Sequence, residues 1–299
     1  MNRVLVTGAA GFIGKEVLGA LSKLSPGSEV EIHGLSRHTP TECRREVVWH
    51  SIDLLSTDPD KLLGTIGASH LLHLAWTTAR GTYWTSEENL AWLDASVRLL
   101  RSFRAAGGRR FVGVGTCSEY APSAGPYSEA STPLAPWSIY GACKAALGLI
   151  STAFPAPGMT TAWARLFFLY GQGEPADRLV PRLLSAARSR ESIRVHTDHT
   201  RDYLHVSDVA TGLIALLLSD MAGPVNVASG LGVTVGDLAH AAAEAVNGEI
   251  TLLPPVQEGS RFSTAPVSVV ADAARIRSLG WNPATRLTDG LRAMASTTE

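Results

Sequence analysis

The sequence predicts an α/β protein: a doubly wound parallel sheet followed by a smaller α/β lobe. Three observations predict it. A β-branched run, "RVLVT" (3–7), ends in the glycine turn "GAAGFIG" and leads into the helical periodicity of "KEVLGALSKL" (15–24). Buried apolar strands then alternate with helices to about residue 171. Beyond 172, shorter segments alternate with helices in a looser pattern. Continuous apolar strands separated by helices are the pattern of a parallel sheet covered on both faces.

The elements follow in order. "EVEIHGLS" (29–36) and "EVVWHSID" (46–53) are the second and third strands, and "HLLHLAW" (70–76) is a buried fourth. "ENLAWLDASVRLLRSFRAAG" (88–107) is an amphipathic helix closed by Gly107 and Gly108. "RFVGVGT" (110–116) is the fifth strand, 138–154 a helix, and "TTAWARLFFLYG" (160–171) contains the sixth strand. In the second part, "SIRVHT", "TRDYLHV" and "GEITLLP" alternate with helices at 178–189, 207–219 and 234–247. The expected division is therefore 1–171 and 172–299, with strands of the second part free to return to the first sheet.

Composition bounds the partners. The 299 residues carry a net charge of −1, with 45% hydrophobic and 18% charged residues. A chain of this size buries about 75% of its unfolded surface. Near-neutral charge gives no support for nucleic acid or an anionic membrane as partner. No apolar run is long enough to span a bilayer. Cys43, Cys117 and Cys143 have no spacing for a disulfide framework or a zinc site, so no metal is expected. "MNRVLVTGAAGFIG" is no signal peptide, and a reducing cytoplasm is the default compartment.

The turn "TGAAGFIG" places Gly8, Gly11 and Gly14 between the first strand and first helix. Gly8 permits the tight turn, Gly11 a close approach of backbone to a pyrophosphate, and Gly14 close helix–strand packing. The backbone N–H groups of Phe12, Ile13 and Gly14 then face the phosphates with the positive end of the helix dipole. This is a Rossmann-type dinucleotide cradle. At the end of the second strand, where an acidic residue would bond the ribose of NAD, stand Ser36 and Arg37. Arg37 suits a forked contact with a 2′-phosphate, so NADP(H) is expected over NAD(H).

In "WSIYGACK" (137–144), Tyr140 and Lys144 are one helical turn apart. Thr116 ends the fifth strand at the mouth of the crevice, with Ser118 as the second candidate hydroxyl. A phenol ordinarily titrates near 10, so it needs a neighbouring cation to exchange protons at neutral pH.

Thr7 with GxxGxxG, "HLAW" (73–76), Thr116 four residues before Tyr120, Tyr140 with Lys144, and "RDYLHVSDVA" (201–210) occur in one order along nearly the whole chain. In these landmarks the chain resembles the extended short-chain dehydrogenase/reductase family, the NAD-dependent epimerases and dehydratases. The resemblance implies a Rossmann lobe, a nucleotide-sugar lobe and hydride chemistry. It gives Thr116, Tyr140 and Lys144 as catalytic residues, with Tyr140 as proton donor. It adds Asp53 and Leu54 at the adenine, where Asp53 could equally cap a helix, and Leu74, Ala75 and Trp76 along the cofactor. Arg201 and Arg261 fall where family arginines grip the sugar nucleotide's phosphates, and either could instead be a surface residue. Asp202 and Asp208 fix a loop and cap the helix that follows. A homodimer through helices near 88–107 and 138–154 is implied, with an apolar outer stripe on each.

Departures from the family pattern narrow the chemistry. Cys117 and Ser118 stand where 4,6-dehydratases carry Asp-Glu, and "LYGQGE" lacks the histidine of C3/C5 epimerases. With NADP expected, the similarity points to NADPH-dependent reduction of an NDP-4-keto-6-deoxysugar, in the manner of abequose and paratose synthases, whose C-terminal helix and turn "VADAARIRSLGWNP" matches. An NDP-sugar C4 epimerase with bound NAD is the alternative. Phe168 replaces the usual asparagine of the sixth strand, and Trp76, Tyr83, Trp84 and Trp92 add aromatics near the crevice. An aromatic or polyketide ketone is therefore a third reading.

Overall fold

The computed structural model describes residues 2–24, 30–41, 43–79, 81–123, 125–154, 157–255 and 266–296. The first part runs β1 (Asn2–Thr7), α1 (Phe12–Leu24), β2 (Val30–Ser36), β3 (Val47–Ser51), α2 (Asp60–Ile66), β4 (His70–His73), α3 (Glu88–Ala105), β5 (Arg110–Thr116), α4 (Ile139–Ala153) and β6 (Thr160–Leu166). The remainder is β7 (Phe168–Tyr170), α5 (Leu179–Ser189), β8 (Ser192–Arg194), β9 (Thr200–His205), α6 (Val206–Leu217), β10 (Gly223–Val227), β11 (Gly232–Thr234), α7 (Val235–Ala245), β12 (Thr251–Leu253), β13 (Ser268–Val269), α8 (Ala274–Arg277) and α9 (Leu287–Ser296).

Seven strands form one parallel sheet in the order β10-β6-β5-β4-β1-β2-β3. The order reverses between β1 and β4, and a doubly wound sheet opens its ligand crevice at that point. Strand alternation sends side chains to both faces. Val4, Val6, Val112 and Val114 pack with Val17 and Leu21 of α1 and Val209 and Leu213 of α6. Leu5 and Phe111 face the other way, onto Leu63 of α2 and Leu99 and Phe103 of α3. Burying each such side chain contributes roughly 1.5–3 kcal/mol.

Helix α1 begins at Phe12, three residues earlier than its apolar periodicity suggests, because Lys15 N–H already donates to Gly11 O at 3.0 Å. The sixth strand is broken at buried Phe167. β6 stays in the main sheet, while β7 leaves it to pair with β9. β10, from beyond residue 172, returns to pair with β6. A second core collects Leu183 of α5, Leu238 and Ala239 of α7, Leu291 of α9, Tyr170 and Tyr203. The β7/β9 pair therefore bridges the two cores, and it stands at the carboxyl edge of the main sheet.

Among the described residues no helix is long and apolar enough to cross a membrane. Cys43, Cys117 and Cys143 are free thiols.

Candidate active site

The glycine turn is sterically obligatory. Gly8 has φ +67°, and a Cβ there would stand 2.8 Å from Ala75 N, so the ends of β1 and β4 meet backbone to backbone. A Cβ on Gly14 would strike Gly8 O and come within 2.7 Å of Ala9 Cα. At Gly11 a Cβ would meet only Gly8 O, at 3.1 Å, so its outer side is open. The first turn of α1 has no acidic side chain to repel an anion. These features fit a dinucleotide pyrophosphate against the N–H groups of Phe12, Ile13 and Gly14.

Thr7 ties the strands beneath the turn. Its Oγ1 accepts from Leu74 N (3.2 Å) and Ala75 N (3.3 Å) and meets His73 Nδ1 at 2.7 Å. His73 Nε2 meets Ser96 Oγ at 2.8 Å, and Ser96 donates to Trp92 O at 2.6 Å. This chain is satisfied only with the proton on Nε2 and Thr7 donating to Nδ1. Burial, with Lys144 adding repulsion, holds His73 neutral and pulls it down to about 3. At the adenosine end, Ser36 Oγ donates to His38 O (2.6 Å) and Arg37 is exposed. Asp53 Oδ1 accepts from Leu55 N (3.0 Å) beside buried Leu54, and this turn precedes α2.

Thr116 and Tyr140 come together, and the Thr116 hydroxyl is the influence that favours the ionised phenol. Burial dominates, however, and with Tyr83, Glu119 and Cys117 it pushes the phenol above its usual range. The Tyr140 ring meets Tyr83 edge-on at 5.0 Å, Trp84 at 5.5 Å and Trp76 at 6.5 Å. Lys144 Nζ donates to Val114 O (2.8 Å) and lies 3.9 Å from the Trp76 ring centroid, so its ammonium does not bond the phenol. Burial pulls Lys144 down to about 7, against the raising effect of Glu119. Trp76 is pinned in turn by its Nε1–H donating to Asn89 Oδ1 at 2.9 Å. Ser118 donates its N–H to Thr116 Oγ1 (3.2 Å). The Cys117 thiol is pushed up to about 12 by burial and stays protonated at neutral pH.

Glu119 is a fully buried carboxylate behind this group that the sequence reading missed. It accepts from Thr116 N (2.8 Å), Trp163 Nε1 (3.0 Å) and Arg165 Nε (2.8 Å). Arg165 also donates to Tyr120 Oη (2.9 Å), which donates to Asn226 Oδ1 (2.7 Å). "TCSE" is a capping-box pattern, and that signal was present. Its partners Trp163 and Arg165 alternate along β6, where nothing local marks them as partners.

On the opposite wall stand Phe168, Tyr203, Arg201 and Glu174. Phe168 and Tyr203 are register partners, ring to ring at 5.9 Å, and the Arg201 guanidinium lies 5.4 Å from the Phe168 ring. Arg201 donates to Thr200 O (2.8 Å) and Val267 O (2.9 Å) and meets His199 Nδ1 at 3.0 Å. It is therefore a buried, anchored arginine and not a surface one. Arg261 lies outside the described residues. Asp202 fixes the Ser229–Gly230 turn, accepting from Ser229 N at 2.9 Å and Gly230 N at 2.8 Å. Asp208 does not cap α6. It accepts from Ala284 N and Thr285 N at 3.0 Å each, and His205 takes the cap position.

Residues 4–228 match the model of the NAD dependent epimerase/dehydratase family. The UDP-glucose 4-epimerase of Streptomyces lividans is 28% identical, over 94% of this chain and 92% of the relative. The UDP-glucose 4-epimerase of Azospirillum brasilense is 30% identical, over 97% and 89%. MoeE5, solved with UDP-glucuronic acid and NAD, superposes with a TM-score of 0.82, at 27% identity and over 99% of both chains. These findings correct the cofactor expectation. MoeE5 holds NAD in this complex and in its complex with UDP-glucose, as does the Thermus thermophilus UDP-glucose 4-epimerase structure. The expected preference for NADP rested on Arg37, an exposed side chain whose position at the end of β2 selects no phosphate by itself.

Proposed function

The chain belongs to the NAD dependent epimerase/dehydratase family, and from that premise we propose that it is a nucleotide-sugar 4-epimerase acting with bound NAD on a UDP-hexose. One observation carries the reading: Thr116 and Tyr140 come together in a buried crevice with Lys144 one turn away, and the two residues after Thr116 are the thiol Cys117 and the alcohol Ser118. Cys117 remains a thiol and Ser118 an alcohol, so water elimination and C3/C5 inversion lack their proton carriers. Chemistry confined to carbon 4 remains. Reduction with a released NADPH lost its support with Arg37, and the full-length likeness to UDP-glucose 4-epimerases favours reversible oxidation.

The cofactor's phosphates would lie on the N–H groups of Phe12–Gly14, its adenosine toward Ser36, Asp53 and Leu54, and its nicotinamide end along Leu74–Trp76 toward Lys144. When bound, NAD supplies reversible hydride acceptance at carbon 4. Tyr140 takes the proton of the 4-hydroxyl as the carbon–hydrogen bond breaks, and returns it when the ketone is reduced from its other face. Thr116 hydrogen-bonds the same oxygen in both directions. Lys144, titrating near neutrality, supplies positive charge that favours the phenolate. Tyr83, Trp84 and Trp76 surround the phenol and keep bulk water from it. Arg201 offers its charge to the sugar nucleotide's diphosphate.

A homodimer belongs to the same proposal. The outward positions of α4 include Ala142, Ala146, Leu149, Ile150 and Ala153, with Leu149 58% exposed, whereas those of α3 include Glu88, Asp94, Arg101 and Arg104, so the apolar stripe expected on both helices is present only on α4. A second copy is the cover that such a stripe calls for.

The experiment is to add UDP-glucose to the purified chain without added cofactor and follow the sugar by proton NMR. Formation of UDP-galactose, with NAD released on acid denaturation, is the expected result. NADPH oxidation by a 4-keto sugar with no interconversion would refute the reading.

A further inference from the structure

Away from the Tyr140 group, the turn between β8 and β9 carries "HTDHT" (196–200). Among the described residues, His196, Asp198 and His199 bring one donor atom each to within 4.8 Å of one another. His196 and Asp198 are exposed and His199 is half-buried, so the cluster is open to solvent. The two imidazoles lie parallel, with planes 6° apart and ring centroids 4.3 Å apart. The cysteine spacing excludes a thiolate zinc site, but a set of two histidines and a carboxylate needs no thiol.

The backbone holds this turn in place. His199 N–H donates to His196 O at 3.3 Å, closing the turn on itself. Val235 N–H donates to His199 O at 2.9 Å and Gly236 N–H to Thr197 O at 3.0 Å, so the first residues of α7 fasten it from outside. Thr200 N–H donates to Val267 O at 2.7 Å where β9 begins. A Cβ on Gly236 would stand 3.3 Å from Thr197 O, which shows how closely the helix start and the turn approach. Donors on a turn already fixed lose little backbone freedom when they close on a ligand.

We propose that His196, Asp198 and His199 bind one divalent ion of the zinc class on the β8–β9 turn. Two imidazoles and a carboxylate suit Zn2+, Co2+ and Ni2+, whereas Mg2+ and Ca2+ take oxygen donors. Zn2+ holds nitrogen and oxygen at about 2.0–2.2 Å, which places tetrahedral donors roughly 3.3 Å apart. The exposed side chains of His196 and Asp198 turn to close that gap, and water takes the fourth position. His199 is lowered by burial, Arg201 and His196 against the raising effect of Asp198, so it is neutral at pH 7. Arg201 Nη2 lies 3.0 Å from His199 Nδ1, which places the ring proton on Nε2. An ion that takes the Nδ1 lone pair displaces Arg201 from it, and Arg201 keeps its bonds to Thr200 O and Val267 O. The bound ion clips the turn shut ahead of the strand that carries Arg201, and so stabilises the folded chain.

The test is calorimetric titration of the full chain, free of any polyhistidine tag and stripped of metal, with Zn2+ and separately with Mg2+ at pH 7.5. One saturable Zn2+ per chain is expected, with no saturation by Mg2+ over the same range. His196→Gln and His199→Gln should each weaken Zn2+ by about tenfold or more. Urea unfolding supplies the second readout. Zn2+ should raise the midpoint of wild type and leave that of His196→Gln unmoved, and without metal the two midpoints should coincide, since His196 is exposed. Absence of saturable Zn2+ binding, Mg2+ binding of equal strength, or an unchanged Zn2+ affinity in either variant overturns the site and leaves two stacked surface histidines.

Discussion

The two walls of the crevice are finished to different degrees. On the proton-transfer side, Thr7, His73, Ser96, Thr116 and Glu119 bond one another or the backbone in closed networks. On the opposite wall, among the described residues, Glu174 Oε2 and Tyr203 Oη are buried without a hydrogen-bond partner. The difference teaches where the fold places rigidity. A proton shuttle needs one geometry, which satisfied networks hold.

The largest break of this contrast is at Tyr140. Tyr140→Phe removes the proton carrier while the phenyl ring still fills the aromatic box, so turnover should fall ~10²–10⁴-fold with UDP-glucose affinity nearly unchanged. Steady-state kinetics beside calorimetry measure both; near-wild-type turnover would remove Tyr140 from the mechanism.

Next comes the network behind it. Glu119→Ala leaves the Arg165 guanidinium buried without its carboxylate, 2.8 Å away in the native chain. A loss of about 3–5 kcal/mol in urea unfolding is expected. Glu174→Gln, on the unfinished wall, should cost nothing comparable. Equal losses in the two variants would erase the contrast.

His73 gives a smaller effect, read through pH. Its folded value of about 3 lies below the usual 6.5, so the unfolded chain binds the extra proton first. The stability it contributes is complete above pH 6.5 and is lost as pH falls toward 3. From pH 6.5 to 5 that is about 2 kcal/mol. Burial also lowers His33, His50, His70, His199 and His205, so the comparison is with His73→Gln, whose acid limb should be flatter. An identical limb would show that the Thr7–His73–Ser96 chain contributes no acid sensitivity.

The smallest effect is at Arg37. Arg37→Ala should change NAD affinity by no more than about twofold, as for other exposed charges. A tenfold loss would return this residue to the cofactor site.

The proton-transfer wall was the more legible one in the sequence. The glycine turn and the Tyr140/Lys144 pair are local, since strand–turn–helix or one helical turn places the residues with little help from the rest of the chain. The break at Phe167 was not legible, because the apolar run continues through β6 and β7 while their strand partners change. Glu119 gave only a local capping signal, and its role depends on Trp163 and Arg165 arriving from β6. Phe168 and Tyr203 are 35 positions apart in the numbering and are brought together by the β7/β9 pairing. Arg37 misled because its side chain projects into solvent, where charge alone sets no geometry.

The central claim is that hydride leaves carbon 4 and returns to carbon 4 within one site, with Tyr140 carrying the proton. UDP-glucose deuterated at carbon 4 tests it most directly. The account expects UDP-galactose that retains the deuterium at carbon 4, with none passing to water or to added NAD. Loss of the label to solvent or to external cofactor during conversion would contradict it.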